Sequence, residues 1–177
     1  MRWRKYWMNK NYTRASHGFG PVYDEKSRIL ILGSFPSVKS REEGFFYGHP
    51  RNRFWKILAA VCNEPEPVTI EEKKQFLLKN GIALYDVIEE CEIVGSSDSS
   101  IRNVIPADLN PILEVSQISA VYTNGRLAGK LYRKYQEPVT GLPCVELPSS
   151  SPANAAFSLE KLTGIWQETL PQLKKGD

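Results

Sequence analysis

Asn52 stands in the run Gly48-His49-Pro50-Arg51-Asn52-Arg53-Phe54-Trp55, which gathers an amide, an imidazole and two guanidinium groups into neighbouring positions. An amide both donates and accepts hydrogen bonds, so Asn52 can fix the orientation of a water molecule without titrating. Its competing role is an N-cap, worth about 1 kcal/mol, for the helix that the spacing of Phe54, Ile57, Leu58 and Val61 predicts. His49 can contact a ligand's base or phosphate, or it is a satisfied loop residue between Gly48 and Pro50. Arg51 and Arg53 can clamp phosphates bidentately, with one of the two expected to pair with a carboxylate instead. Phe46, Tyr47 and Trp55 are candidates for stacking, Trp55 fitting the core better and Tyr47 a pocket.

The elements that must position these groups alternate between strand and helix. Ile29 to Leu32 form a continuous apolar run ended by Gly33-Ser34-Phe35-Pro36-Ser37, as a strand buried on both faces requires. Ile82–Ile88, Ile118–Thr123 and Cys144–Leu147 read as further strands. Helices are expected over 52–62, over 70–80 with Glu71 and Glu72 in its first turn, from near Gly125, and along Leu159, Leu162, Ile165, Trp166 and Leu170. The expected fold class is therefore α/β: three layers, α/β/α, around a central four-stranded, mostly parallel sheet, with a ligand at the carboxyl ends of the strands. The loops at those ends are Phe35 to Arg51, Glu89 to Asn103, Asn124-Gly125 and Pro148 to Asn154. The second, with Gly95-Ser96-Ser97-Asp98-Ser99-Ser100, is expected to be mobile.

One motif competes for the first loop. Gly33-Ser34-Phe35-Pro36-Ser37-Val38-Lys39-Ser40 departs from a phosphate-binding P-loop at Val38 alone. A β-branched residue disfavours the backbone that wraps a phosphate, and Pro36 removes an N–H donor, so nucleotide hydrolysis is set aside although Asp86 could imitate a metal-binding aspartate.

The chain's 177 residues and 41% hydrophobic content fit one domain over 21–177, preceded by a 1–20 arm in which Arg2, Arg4, Lys5, Lys10 and Arg14 alternate with Trp3, Tyr6, Trp7 and Tyr12. Such an arm either grips a nucleic-acid strand or packs on the surface. No apolar run approaches the ~20 residues of a membrane span and no signal-peptide core follows the basic start, so a cytoplasmic location is expected, nucleoid-associated in a prokaryote. Cys62, Cys91 and Cys144 lack CxxC spacing, and His17 and His49 are the chain's two histidines, so neither a disulfide framework, a metal nor a cofactor is expected.

Three ordered segments together, Gly33-Ser34-Phe35-Pro36-Ser37, His49-Pro50-Arg51-Asn52-Arg53-Phe54-Trp55 and Leu147-Pro148-Ser149-Ser150-Ser151-Pro152, resemble the uracil-DNA glycosylase superfamily and within it the hypoxanthine-DNA glycosylase family, over roughly residues 20 to 170. The resemblance implies a monomeric, monofunctional DNA glycosylase that flips a deaminated base, hypoxanthine above all, out of double-stranded DNA and leaves an abasic site. It makes Asn52 the catalytic residue, Gly33, Ser34, Phe35, Ser37, Tyr47, His49 and Asp86 base-binding, and Arg51, Arg53, Ser149, Ser150, Ser151, Pro152 and Asn154 DNA-binding. Asp86 could accept a hydrogen bond from N1–H of hypoxanthine, and Ser37 or His49 could donate one to the departing purine. Leu147 stands where some uracil enzymes carry a catalytic His, and Phe35 where mismatch enzymes carry an Asn. Both departures count against strong uracil activity. A glycosylase for uracil or thymine opposite guanine, and a non-catalytic nucleic-acid-binding module, remain the alternatives.

Overall fold

The computed structural model describes residues 11–170. In chain order the elements are β1 (Thr13–Ser16), β2 (Ile29–Gly33), α1 (Val38–Glu43), α2 (Phe54–Cys62), α3 (Ile70–Lys79), β3 (Ile82–Asp86), β4 (Ile88–Ile93), a 3-10 turn Asp98–Ser100, β5 (Arg102–Pro106), α4 (Asn110–Val115), β6 (Ala120–Asn124), α5 (Arg126–Tyr135), α6 (Glu137–Thr140), β7 (Cys144–Leu147) and α7 (Leu159–Thr169).

The central sheet has the order β3-β2-β6-β7, every pair parallel. All five residues of β2 and of β3 are buried, so these strands are covered on both faces, which is why their sequence is apolar without alternation. Helix α2 buries Phe54, Trp55, Ile57, Leu58 and Val61 on the core side. It meets α7 where Phe54 and Trp166 pack edge to face with centroids 5.9 Å apart. The Trp166 indole N–H donates to the Pro148 carbonyl at 2.9 Å, which ties α7 to the loop after β7. Helix α3 has its acidic first turn organised as a capping box, Thr69 with Glu72.

A second sheet, antiparallel with the order β1-β4-β5, was not expected. The segment 82–88 is not one strand: β3 ends at Asp86 and, after Val87, β4 begins in the other sheet. Val87 bridges them, its N–H donating to the Gly33 carbonyl and its carbonyl accepting from Ala107 N–H. The amide of buried Gln136 closes the seam by donating to the carbonyls of Val87 and Ala107. Glu89 to Asn103, expected as a mobile loop, instead holds most of β4, the 3-10 turn and the start of β5. Within the segment read as an arm, Thr13–Ser16 is strand β1, paired with Glu90–Ile93, and Arg14 makes an ion pair with Glu90. Arg2, Trp3, Arg4, Lys5, Tyr6, Trp7 and Lys10 lie outside the described residues. Among the described residues no helix is long and apolar enough to cross a membrane, and no group of three or more His, Cys, Asp or Glu is placed to hold a metal ion.

Candidate active site

The carboxyl ends of all four parallel strands open into one cleft of about 270 Å³. Gly33 and Ser34 reach it from β2, Asp86 from β3, Asn124 from β6, and Ser149 to Pro152 from the loop after β7. Of the residues singled out in the sequence, Gly33, Ser34, Phe35, Ser37, Tyr47, His49, Asn52, Asp86, Ser149, Ser150, Ser151 and Pro152 line this cleft together.

Gly33 is glycine for reasons of space. A methyl group there would stand 2.3 Å from Asp86 Oδ1 and 2.7 Å from the Tyr47 hydroxyl, so only glycine lets these two groups converge on the end of β2. Tyr47 has a left-handed backbone, φ +52°, a conformation that costs a bulky residue energy and that collects at functional sites. Its ring stacks on Phe54 at 4.0 Å. The hydroxyl is buried beside Asn124 without a hydrogen bond of ordinary geometry. Burial first, then the charge of Asp86, pushes the Tyr47 phenol far above its ordinary range, so it stays protonated as a donor.

Asn52 stands one residue before the cap position of α2, which Arg53 occupies without a side-chain cap bond, so the expected N-cap at Asn52 is corrected. Its Oδ1 accepts from Phe54 N–H at 3.0 Å, starting α2, and from the Ser150 hydroxyl at 2.9 Å. Two lone pairs are thereby used, so the expectation that this amide both donates to and accepts from a water is corrected: only its Nδ2 is left to donate into the cleft. Ser150 is completely buried, its hydroxyl accepting from Asn124 Nδ2 at 2.9 Å and its N–H donating to Asn124 Oδ1 at 3.0 Å. A buried hydroxyl with both partners supplied cannot reach a phosphate, so Ser150 joins β6, the second-motif loop and Asn52 rather than binding DNA.

Arg53 is likewise turned inward. Its Nη2 donates to the carbonyls of Ser151 at 2.7 Å and Asn154 at 3.1 Å, Nη1 donates to the Phe157 carbonyl, and Nε donates to Ser150. This fork is spent on carbonyls, neither on a phosphate nor on the carboxylate that one of the two arginines was expected to find, and it shapes the loop 150–157. Asn154 serves the same loop, its amide donating to the Ser149 carbonyl. Ser37 caps α1, accepting from Ser40 N–H and donating to the Ser40 hydroxyl, which removes it as a free donor. Arg51 and His49 are exposed beside the cleft. Arg51 N–H donates to His49 Nδ1 at 3.1 Å, leaving Nε2 as the outward-facing donor of the neutral ring.

Sequence reasoning passed over three residues here. Asn124 closes β6 and was visible only as a strand-end Asn-Gly pair. Asp98 comes from the Ser-rich turn; burial of its carboxyl, with Asp86 adding to it, pushes its pKa up against a hydrogen bond from Ser34, although the residue as a whole is exposed. His17, wholly buried behind the cleft, places Nε2 2.7 Å from Asp86 Oδ2.

The uracil DNA glycosylase superfamily model matches residues 21–170, a span that contains every cleft residue named above. The chain belongs to the uracil DNA glycosylase superfamily. Within it, the chain is 37% identical over 146 residues to the hypoxanthine DNA glycosylase of Methanosarcina acetivorans, covering 80% of this chain and 89% of that protein. It is 33% identical over 161 residues to the hypoxanthine DNA glycosylase of Methanosarcina barkeri, covering 85% and 95%. A solution NMR structure from M. acetivorans, of a protein assigned as a uracil DNA glycosylase, superposes with a TM-score of 0.77 at 33% identity over 91% of this chain and 99% of that one. The match thus spans the whole parallel sheet and the cleft at its strand ends.

Proposed function

We propose that this protein is a DNA glycosylase that hydrolyses the N-glycosidic bond of hypoxanthine in DNA and leaves an abasic site. The observation that carries the reading is the convergence of a buried acceptor, Asp86 Oδ1, and a buried donor, the Tyr47 hydroxyl, over Gly33, with the Asn52 amide in the same cleft. Hypoxanthine presents N1–H and O6 side by side, one donor and one acceptor, which this pair complements. Adenine presents the reverse polarity, an N1 acceptor beside an amino donor, and would leave buried groups unpaired. A cleft of about 270 Å³ suits one flipped base. The names carried by the Methanosarcina relatives support the same substrate.

In this reading the duplex docks with Arg51, His49 and Pro152 at the cleft mouth and the target nucleotide swings in. As the glycosidic bond lengthens, negative charge grows on the purine, where Tyr47 at O6 and His49 Nε2 can donate hydrogen bonds. The sugar becomes electron-poor, and a water needs placement more than activation, which a donating Asn52 Nδ2 supplies. Among the described residues no lysine lines the cleft to form a Schiff base, and the reading is of hydrolysis alone. The test is release of hypoxanthine from a duplex containing one deoxyinosine, without added metal; a protein that binds that duplex and releases nothing defeats the reading.

A further inference from the structure

His17 makes a contact that the chemistry above does not use. It follows β1 in the antiparallel sheet, its own N–H donates to the Glu89 carbonyl at 2.8 Å, and its side chain has no exposed surface. The ring lies among Phe19, Tyr85, Phe46 and Phe35, with centroids at 4.4, 4.7, 5.8 and 6.4 Å. An aromatic nest of this kind would fit phenylalanine by shape, and His17 Nδ1 is buried with no partner among the described residues. The polar ring therefore has a use other than packing, and its side-chain hydrogen bond among the described residues, Nε2 to Asp86 Oδ2 at 2.7 Å, points to that use.

We propose that His17 is a positioning and specificity residue: by holding Asp86 Oδ2 it limits the carboxylate to one oxygen, Oδ1, facing the base. This rests on the proposed reading of the cleft. A free carboxylate offers two acceptors side by side and matches the N1–H and 2-amino donors of guanine. With Oδ2 committed to His17 on the buried side of the carboxylate, guanine's second donor finds no acceptor there, whereas hypoxanthine, with N1–H alone, is fully served. Gly33 leaves open the space beside Oδ1 that any other residue's Cβ would enter, and the aromatic nest surrounds the imidazole that holds Oδ2. The antiparallel sheet, which adds no residue of β1 to the cleft itself, thereby reaches the base through a single hydrogen bond.

Two substitutions give opposite expectations. His17→Phe preserves the packing and removes the donor; His17→Gln keeps an N–H₂ near the Nε2 position and packs less well. Single-turnover release of hypoxanthine and of guanine, each placed opposite thymine, is measured for both variants and the wild type, with melting temperatures alongside. The proposal expects His17→Phe, which leaves the buried Asp86 Oδ2 without its donor, to melt below the wild type and to release hypoxanthine about tenfold or more slowly, a loss of the size that small misplacements in an active site cause. His17→Gln, which keeps a donor to Asp86, releases it faster than His17→Phe, and guanine release relative to hypoxanthine rises in His17→Phe alone. A His17→Gln that, compared where both variants are folded, releases hypoxanthine no faster than His17→Phe overturns the positioning role. An unchanged guanine-to-hypoxanthine ratio in His17→Phe overturns the specificity role. A wild type that releases no hypoxanthine removes the reading of the cleft itself, and is told apart from either failure by needing no variant.

Discussion

Single residues at the cleft differ in how far their neighbours in sequence announce them. Asn52 and Gly33 were legible because each sits in a short motif beside the helix or strand that positions it. His17 was not, because its meaning depends on Asp86, 69 residues away, and a lone histidine after an aromatic and basic stretch has no local signature. Ser150 and Arg53 were misread for a related reason: serine and arginine in a loop suit phosphate equally well whether they face out or in, and only the fold sets the direction. Gly33 makes the strongest prediction at this scale. Gly33→Ala would press a methyl group against Asp86 Oδ1 and the Tyr47 hydroxyl, at a cost of about 1–3 kcal/mol by urea denaturation. Hypoxanthine release should fall by more than that loss of stability accounts for, while wild-type release in the alanine variant would mean that Asp86 and Tyr47 need not converge. Asp98 makes a prediction in pH. Its pKa in the folded protein is raised above the ordinary carboxylate value of 3.8, so the folded state binds the proton more tightly than the unfolded chain. Its contribution is therefore complete below 3.8 and is lost as the pH rises through the raised value. Asp98→Asn should melt higher than the wild type at neutral pH and the same at about pH 3; a variant that melts lower at neutral pH would show the carboxylate to be stabilising there.

Elements were legible where one periodicity governs them. The parallel strands β2, β3, β6 and β7 and the helices α2, α3, α5 and α7 each came within a few residues of their expected bounds. The antiparallel sheet was missed because its strands do not alternate cleanly. In β4 the buried positions are Ile88, Cys91 and Ile93, and the register with β5 shifts twice along its length, which breaks the period of two. Three glutamates in six residues then disguise it further, since acidic residues are depleted in strands. The second-motif loop is an element held from outside itself, by the Arg53 fork on the carbonyls of Ser150, Ser151, Asn154 and Phe157. Arg53→Lys keeps the charge and loses the fork, so it should cost about 2 kcal/mol and speed hydrogen exchange of the loop amides without unfolding α2. Unchanged exchange across 149–157 would place the loop's rigidity in its own serine and asparagine turns instead.

At the scale of the whole molecule, the fold brings four strand ends to one cleft and sets a second sheet behind it as the support for Asp86. Neither the pairing of the sheets at Val87 nor the burial of the cleft's acceptor can be read from any one segment, because both come from chain stretches that meet only after folding. The parallel topology was nevertheless legible as a whole, since alternating strands and helices leave few other arrangements. The proposed function follows the same division, with the reaction read from the motifs and the choice of base assigned, in that proposal, to long-range contacts. The measurement that tests this most directly is single-turnover base release, without added metal, from duplexes carrying one hypoxanthine, uracil or thymine, for the wild type and Asn52→Ala together with duplex affinity. The account predicts rapid release of hypoxanthine above the other two, lost in Asn52→Ala, which still folds and binds the duplex although losing the Oδ1 contacts to Phe54 and Ser150 costs it about 1–2 kcal/mol. Hypoxanthine release that survives in Asn52→Ala, or release of uracil in preference to hypoxanthine by the wild type, would contradict it.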